Sequence, residues 1–344
     1  MKFFKRIIIM IGVILLLFLA ILGYFTLRKY HPDKKIVVAE NRVKPISLDT
    51  VKCMSWNIGY CGLGADMDFF YDGGSNVRTS KKNTEENLAF IKKQLAGAKN
   101  TDFFLLQEVD TSSKRSYFLD QFSHISRELG SYQGYFSTNY HVDFVPVPFT
   151  NPLGKVRGGL ATFSKFTPKR VIRYAYPSRY SWPMNLFMLD RCFMANEFML
   201  NNGKKLIVIN THNSAYDDGT LKRKEMSFLK KILLAEYKKG NYLIVGGDWN
   251  QFPLGIERYQ ERFDLAKTSI IKKDFMPSDW KWVADYKTAT NRALDAPLNE
   301  NTKKAVIDFY LISPNIEVLN VKTHNQKFRH SDHHPVTARF RLVR

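Results

Sequence analysis

The sequence predicts an α/β domain built on a mixed β-sheet, behind one N-terminal membrane-spanning helix. Three observations carry this reading. Strand-like apolar runs alternate with stretches of helical periodicity; Asn201-Asn202-Gly203 gives a hairpin signal between two of the strands; and one long uncharged apolar run stands at the N-terminus. Hairpins among helices argue for a mixed sheet rather than a purely parallel one. The chain has 344 residues, 44% hydrophobic and 24% charged, enough for one large domain or two ordinary ones. Aromatics at 14% argue against general disorder, and no repeat or low-complexity tract stands out.

The N-terminal element comes first. Lys2, Lys5 and Arg6 precede an uncharged run from Ile7 to Leu27. At about 1.5 Å per residue that run spans about 31 Å, close to the hydrocarbon thickness of a bilayer. The small-residue pattern of a cleavage site is poor around Ala20-Ile21-Leu22-Gly23, so an uncleaved anchor is favoured over a cleaved signal peptide. Arg28, Lys29, Lys34 and Lys35 follow the span, so basic residues flank both ends and the charge rule gives little contrast. The short basic N-terminus favours a cytoplasmic start and an extracytoplasmic domain. The expected organisation is an anchor over 1–30, a linker over 31–48 and a folded domain over 49–344.

Within the domain, Val51–Trp56 is strand-like. Asn83-Thr84-Glu85-Glu86 resembles a helix start, and Leu88, Ile91 and Leu95 continue at helical spacing. Asp102–Gln107, Leu160–Phe163, Cys192–Leu200 and Leu206–Asn210 read as strands. Lys222–Lys239 reads as an amphipathic helix stopped by Gly240, and Tyr242–Val245, Ala305–Ile312 and Val336–Leu342 as further strands. About 60–80, 131–157, 173–188 and 252–300 lack regular patterning and read as long loops. These hold Phe69, Phe70, Tyr71, Tyr176, Tyr180, Trp182, Trp280 and Trp282, either as small cores under the loops or as a substrate-facing surface.

The formal charge is +20; the first 35 residues hold seven basic and one acidic residue, which leaves +14 on the remainder. Such a surface is either simply solvated or attractive to polyanions, nucleic acid or an anionic membrane face. Cys53, Cys61 and Cys192 match no zinc spacing, and as an odd set they read as buried free thiols.

Polar residues stand at the ends of the predicted strands. Glu108 follows Phe103-Phe104-Leu105-Leu106 and suits a hard divalent cation, which prefers oxygen ligands. Asn57 ends the first strand and offers a neutral oxygen. Asp248 and Asn250 follow Leu243-Ile244-Val245-Gly246-Gly247, and His212 follows Leu206-Ile207-Val208-Ile209-Asn210. Each alone is as readily a turn or structural residue. Asp308 tells more, because it interrupts an apolar run and needs a buried partner, for which a histidine is fitting. Asp332 and His333 stand side by side in His330-Ser331-Asp332-His333-His334, with His330 and His334 read as structural. A divalent ion neutralises the charge of a phosphoester and supports the departing oxygen.

In combination, Ser55-Trp56-Asn57, Gln107-Glu108, Asn210-Thr211-His212, Gly247-Asp248-Trp249-Asn250, Ile307-Asp308 and Ser331-Asp332-His333 resemble the endonuclease/exonuclease/phosphatase superfamily, with Gly158-Gly159-Leu160-Ala161 and Ser164-Lys165 as a secondary match. The resemblance covers about 49–343. It implies a four-layer α/β sandwich of deoxyribonuclease I-like type, with the site at one rim of two packed sheets, and a hydrolase of phosphoester bonds using Mg²⁺, or alternatively Mn²⁺. It implies Glu108, Asn57 and Asp332 at the metal, His333 as general base oriented by Asp308, Asp248 and Asn250 positioning nucleophile and phosphate, and His212 on the phosphate or leaving group. Arg292 is a candidate phosphate contact in Thr290-Asn291-Arg292. The substrate stays open between nucleic acid, a phospholipid or sphingomyelin, and a phosphoinositide-type monoester. A catalytically inactive membrane-tethered module is the reading from another class. No obligate protein partner is evident.

Overall fold

A computed structural model describes residues 2–215, 219–256 and 270–343. Helix α1 runs Lys2–Arg28, and the rest forms two stacked sheets with helices outside them. The strands are β1 (Lys35–Glu40), β2 (Thr50–Asn57), β3 (Phe103–Asp110), β4 (Gln133–Val145), β5 (Gly154–Ser164), β6 (Arg170–Ala175), β7 (Cys192–Met199), β8 (Lys205–His212), β9 (Tyr242–Asp248), β10 (Lys281–Val283), β11 (Asn291–Arg292), β12 (Lys304–Ala305), β13 (Asp308–Ile312), β14 (Ile316–Thr323) and β15 (Val336–Leu342). The further helices are α2 (Lys81–Gly97), α3 (Gln121–Glu128) and α4 (Thr220–Tyr237). One sheet has the order β1-β6-β7-β8-β9-β13-β10 and the other β14-β15-β2-β3-β5-β4. Each mixes parallel and antiparallel pairs: β2 with β3 and β8 with β9 are parallel.

Apolar alternation along the strands builds the layers. One face of each sheet meets the other in a core of Val51, Cys53, Phe103, Leu105, Phe198, Val208, Ile244, Tyr310, Ala338 and Phe340. The outer face of the larger sheet takes Met226, Leu229 and Leu233 of α4. The outer face of the smaller sheet takes Leu88, Ile91 and Leu95 of α2 and Ile125 of α3. This is the four-layer α/β sandwich with a long apolar N-terminal helix. Helix α2 begins a little before its expected start, because the Ser80 side chain accepts from the Asn83 N–H. Helix α4 ends before Gly240, which takes φ +79°.

Three expectations need correction. The 31–48 segment is not a free linker: β1 pairs antiparallel with β6 at the sheet edge. Most of 131–157 is not a loop, since β4 and β5 form one long hairpin there. The Ala305–Ile312 run is not one strand but breaks between β12 and β13, so that Asp308 starts β13. Part of the 252–300 stretch lies outside the described residues. The three cysteines are buried and free. Among the loop aromatics, Phe69, Tyr176 and Trp280 are buried in cores, whereas Trp182 is exposed.

Candidate active site

The strand register assembles the site. In the larger sheet His212 ends β8 beside Asp248 of β9, and Asp248 pairs directly with Asp308 of β13. In the smaller sheet Asn57 ends β2 beside Gln107 of β3, and the Asp332-His333 segment enters β15, which pairs with β2. Two rows of polar side chains thus face each other at one rim of the sandwich. Glu108 is aimed by a bulge: the β3–β5 register slips between Leu106 and Val109, and Glu108 takes φ +53°. Left-handed backbone at a non-glycine residue in such a bulge is a mark of functional sites.

The motif residues that are not acids or histidines hold the rows together. Gln107 Nε2 donates to Asn210 Oδ1 at 2.7 Å, and Asn210 Nδ2 donates to the carbonyls of Leu106 and Ala161. Trp56 Nε1 donates to the His333 carbonyl at 3.0 Å, and Ser331 Oγ to the Asn57 carbonyl at 2.9 Å. Trp249 Nε1 donates to the Phe309 carbonyl. Gly59 takes φ +50°, and a Cβ there would stand 2.7 Å from Asp332 Oδ1, so only glycine lets the loop after β2 pass the acid.

His333 Nδ1 meets Asp308 Oδ2 at 2.7 Å, and both residues are buried. Its Nε2 lies 2.9 Å from Asn291 Nδ2, 3.7 Å from Asp332 Oδ2 and 3.8 Å from Asp248 Oδ2. Burial alone would lower the pKa of this imidazole, but the carboxylates of Asp308 and Asp332 hold it well above the usual histidine range. His212 behaves oppositely. It lies 3.4 Å from Asp248 Oδ2, yet burial, with Arg191 and His333 nearby, pushes its pKa well below the usual value. Burial thus works against charge on His212, in contrast to His333. Burial raises the Asp248 carboxyl to about 6 and the Asp332 carboxyl to about 7. The two histidines are thus driven apart in protonation, a pattern that suits acid–base work.

Glu108, Asp248, Asp308 and Asp332 converge around the His212 and His333 imidazoles. Buried carboxylates with raised pKa values suit a divalent cation, so the donor set fits a metal ion. Donor atoms of Asp248, Asp308 and His333 lie within 4.8 Å of one another, near enough to share an ion. That trio is the weaker candidate, because His333 Nδ1 is already committed to Asp308. Glu108 and Asp332 offer carboxylate oxygens alone.

Two expected roles meet a different geometry. Asn57 does not turn its oxygen to the acids: Oδ1 accepts from the Gly59 N–H, while Nδ2 donates to Glu108 Oε1 at 3.2 Å and Asp248 Oδ2 at 3.0 Å. It bridges two carboxylates that would otherwise repel. Arg292 lines the pocket but spends its guanidinium on the carbonyls of Gly64, Met67 and Ala293, stapling the loop after β2. Asn250 takes φ +48°, donates from its backbone N–H to Asp248 Oδ1 at 2.9 Å and from Nδ2 to the Asn213 carbonyl. His330 meets Asn87 and stacks on Phe90. His334 donates from Nδ1 to the Ala289 carbonyl, accepts the Phe328 N–H at Nε2 and stacks on Phe328.

Sequence reasoning missed three pocket residues. Asn291 touches the His333 ring. Arg115 is buried, bidentate to Asp110 at 2.9 and 3.0 Å, and lies over the Tyr60 ring. Arg191 is buried with Nη1 unpartnered. Neither arginine sits in a recognisable motif; only Asn291, next to the chosen Arg292, carried any signal.

The sequence profile of the Endonuclease/Exonuclease/phosphatase family matches residues 54–333. A search of curated proteins finds no match. Solved structures are similar in fold. An endonuclease/exonuclease/phosphatase from Beutenbergia cavernae DSM 12333 aligns with TM-score 0.58 and 16% identity, over 86% of this chain and 72% of that one. The human Nocturnin catalytic domain with bound sulfate gives 0.52 and 17%, over 87% and 96%. D. rerio TDP2 complexed with single strand DNA product gives 0.51 and 12%, over 85% and 99%. Profile, layers and polar rim agree: the chain belongs to the endonuclease/exonuclease/phosphatase family and is a hydrolase of phosphoester bonds.

Proposed function

We propose that the protein is a Mg²⁺-dependent phosphodiesterase held at a membrane by α1. The observation that carries this reading is the buried Asp308–His333 pair opening onto Glu108, Asp332 and Asp248 at one rim. Glu108 and Asp332 would hold the ion, with Asn57 keeping Glu108 in place. The ion would neutralise phosphoryl charge and favour the leaving oxygen. A bound cation would offset the carboxylate charge that raises the His333 pKa, and in its neutral form His333 would take the proton of the attacking water at Nε2, with Asp308 fixing its ring through Nδ1. Asp248 and Asn250 orient the water and the phosphoryl oxygens. His212, neutral, donates a hydrogen bond to the phosphate. Arg191, which lines the pocket and has Nη1 unpartnered, would take a phosphate oxygen while the terminal nitrogens of Arg292 hold backbone carbonyls.

The +14 charge of residues 36–344 supports nucleic acid as substrate, and the structural neighbour bound to a single strand DNA product is compatible with it. A lipid phosphodiester is the second reading, favoured by α1. Among the described residues α1 is the only helix long and apolar enough to cross a bilayer. Leu22 is buried, a contact that cleavage after Gly23 would lose. This supports an uncleaved anchor, and the short basic N-terminus before the apolar run supports a domain on the extracytoplasmic side.

The test is turnover of plasmid DNA, RNA, sphingomyelin and phosphoinositides by the full chain with Mg²⁺, Mn²⁺ or EDTA. The expected result is metal-dependent cleavage of a phosphodiester, lost in His333→Ala by about 10²–10⁴-fold, the usual worth of acid–base help. Full activity in that variant, or cleavage that survives EDTA, overturns the mechanism. An inactive chain on all four substrates favours the binding module.

A further inference from the structure

We propose that the catalytic domain is seated on the bilayer itself, with the loops carrying Phe144, Phe149, Trp182 and Met184 in the headgroup layer beside the exit of α1. The inference rests on α1 being an uncleaved anchor and is independent of which phosphoester is cleaved.

The exit of α1 is clamped. Lys29 Nζ reaches Asp190 Oδ2 at 3.2 Å and the Asn185 carbonyl at 2.7 Å, and the side chains of Lys29 and Asp190 are only 5% and 6% exposed. Arg28 pairs with Asp143 at 3.1 Å. Tyr30 stacks on His141 with ring centroids 4.8 Å apart. Trp182 Nε1 donates to Thr26 Oγ1 on the last turn of the helix. Five residues further on the chain is already in β1, paired to the sheet. A flexible tether would leave these groups solvated. A buried ion pair with one partner removed costs several kcal/mol, so this exit has one orientation.

That orientation brings particular side chains to the membrane. Outside α1, the exposed large hydrophobics of the described residues are Val37, Phe118, Phe144, Phe149, Trp182, Met184, Ile270 and Val343. Half of them fall in the two segments that clamp the helix. Phe144 follows Asp143, which holds Arg28; Phe149 is 87% exposed in the connection leading on from it; Trp182 and Met184 flank the Thr26 and Asn185 contacts. Exposed aromatics have no reason to gather there in water, whereas tryptophan beside the end of an apolar helix sits where membrane interfaces favour it. Arg28, whose side chain stays 60% exposed at the same level, suits anionic headgroups.

The clamp and the pocket share a wall. Asp190 takes Lys29, and Met188, Leu189 and Arg191 around it line the pocket; His141 stacks on Tyr30, and Tyr140 beside it lines the pocket as well. The reaction centre is therefore held at a fixed relation to the bilayer surface.

The test uses the full chain reconstituted in vesicles of phosphatidylcholine and phosphatidylglycerol. The native cysteines are buried, so Phe149→Cys accepts a single environment-sensitive fluorophore. Asn201→Cys, in the β7–β8 hairpin at the far end of β7 from the Trp182 loop, is the reference. A nitroxide on the lipid acyl chain near the headgroup is expected to remove most of the fluorescence at 149 and none at 201. Trp182, the one exposed tryptophan of the five, is expected to lose emission to the same quencher, and Trp182→Phe to abolish that loss. Vesicle flotation separates the outcomes. A chain that floats but shows equal or no quenching at the two sites overturns the seated orientation alone. A chain that does not float overturns the anchor reading and this inference together.

Discussion

Replacing Asp308 by Asn isolates the pair on which the proposed mechanism depends. The carboxylate is fully buried, 2.7 Å from His333 Nδ1, and its second oxygen has no partner. An amide has the same shape, so the ring can stay in place while the charge that supports it is lost. A hydrogen bond to a charged group is worth about 1.5–3 kcal/mol, or roughly a 10–150-fold effect when it is realised in the transition state. Loss of control over the ring tautomer adds to this, which brings the expected fall in kcat to about 10²–10⁴-fold. KM should change little, because the carboxyl is sealed behind the histidine and meets no substrate. Removing a buried charge while adding one unpaired amide donor should leave the thermal midpoint within about 5 °C, given a shift of about 2–4 °C per kcal/mol in a large domain. The assay is steady-state hydrolysis of bis(p-nitrophenyl) phosphate with Mg²⁺, alongside calorimetry. Unchanged kcat would refute the orienting role; a large fall in midpoint with proportionate loss of folded protein would make Asp308 structural.

Three further outcomes follow from the geometry. Glu108→Gln keeps the hydrogen-bonding shape beside Asn57 but removes a ligand charge, so half-maximal activity should need at least about tenfold more Mg²⁺; an unchanged metal titration would remove Glu108 from the ion site. Gly59→Ala forces a Cβ to 2.7 Å from Asp332 Oδ1 at φ +50°, and should cost about 1–3 kcal/mol in denaturant melts together with activity; a wild-type melt would contradict the crowding. Burial lowers the His334 pKa to about 4, so the unfolded chain binds the proton first: its contribution is complete above about 6.5 and is lost as pH falls towards 4, up to about 3 kcal/mol. His334→Gln should flatten that part of the stability curve, and an equally steep acid limb in the variant would assign the loss elsewhere.

How far the sequence reaches depends on burial. Strands β2, β9 and β15 lie in the core, so their apolar runs have near-correct ends. Strands β4 and β14 carry polar residues that are half-exposed or exposed, such as Thr138, Asp143 and Asn320, and β4 was hidden within an apparent loop. Asp308 was legible because a charge inside an apolar run demands a partner. The direction of the Asn57 amide and the use of Arg292 were not legible, since both follow from which backbone groups the folded loops leave unpaired. Arg115 and Arg191 reach the pocket through tertiary packing alone.

The Gln107–Asn210 contact has a consequence for how this architecture diversifies. Among the described residues no strand-to-strand ladder crosses between the two stacked sheets, yet the facing polar rows belong to different sheets. A buried amide pair at 2.7 Å, with Asn210 also gripping two carbonyls of the opposite sheet, acts as a dowel pin between two plates. Misalignment of even one residue along the strands would strand four buried polar groups. The surrounding loops can therefore lengthen or acquire a membrane-facing rim without altering the spacing between His333 and the acids opposite it.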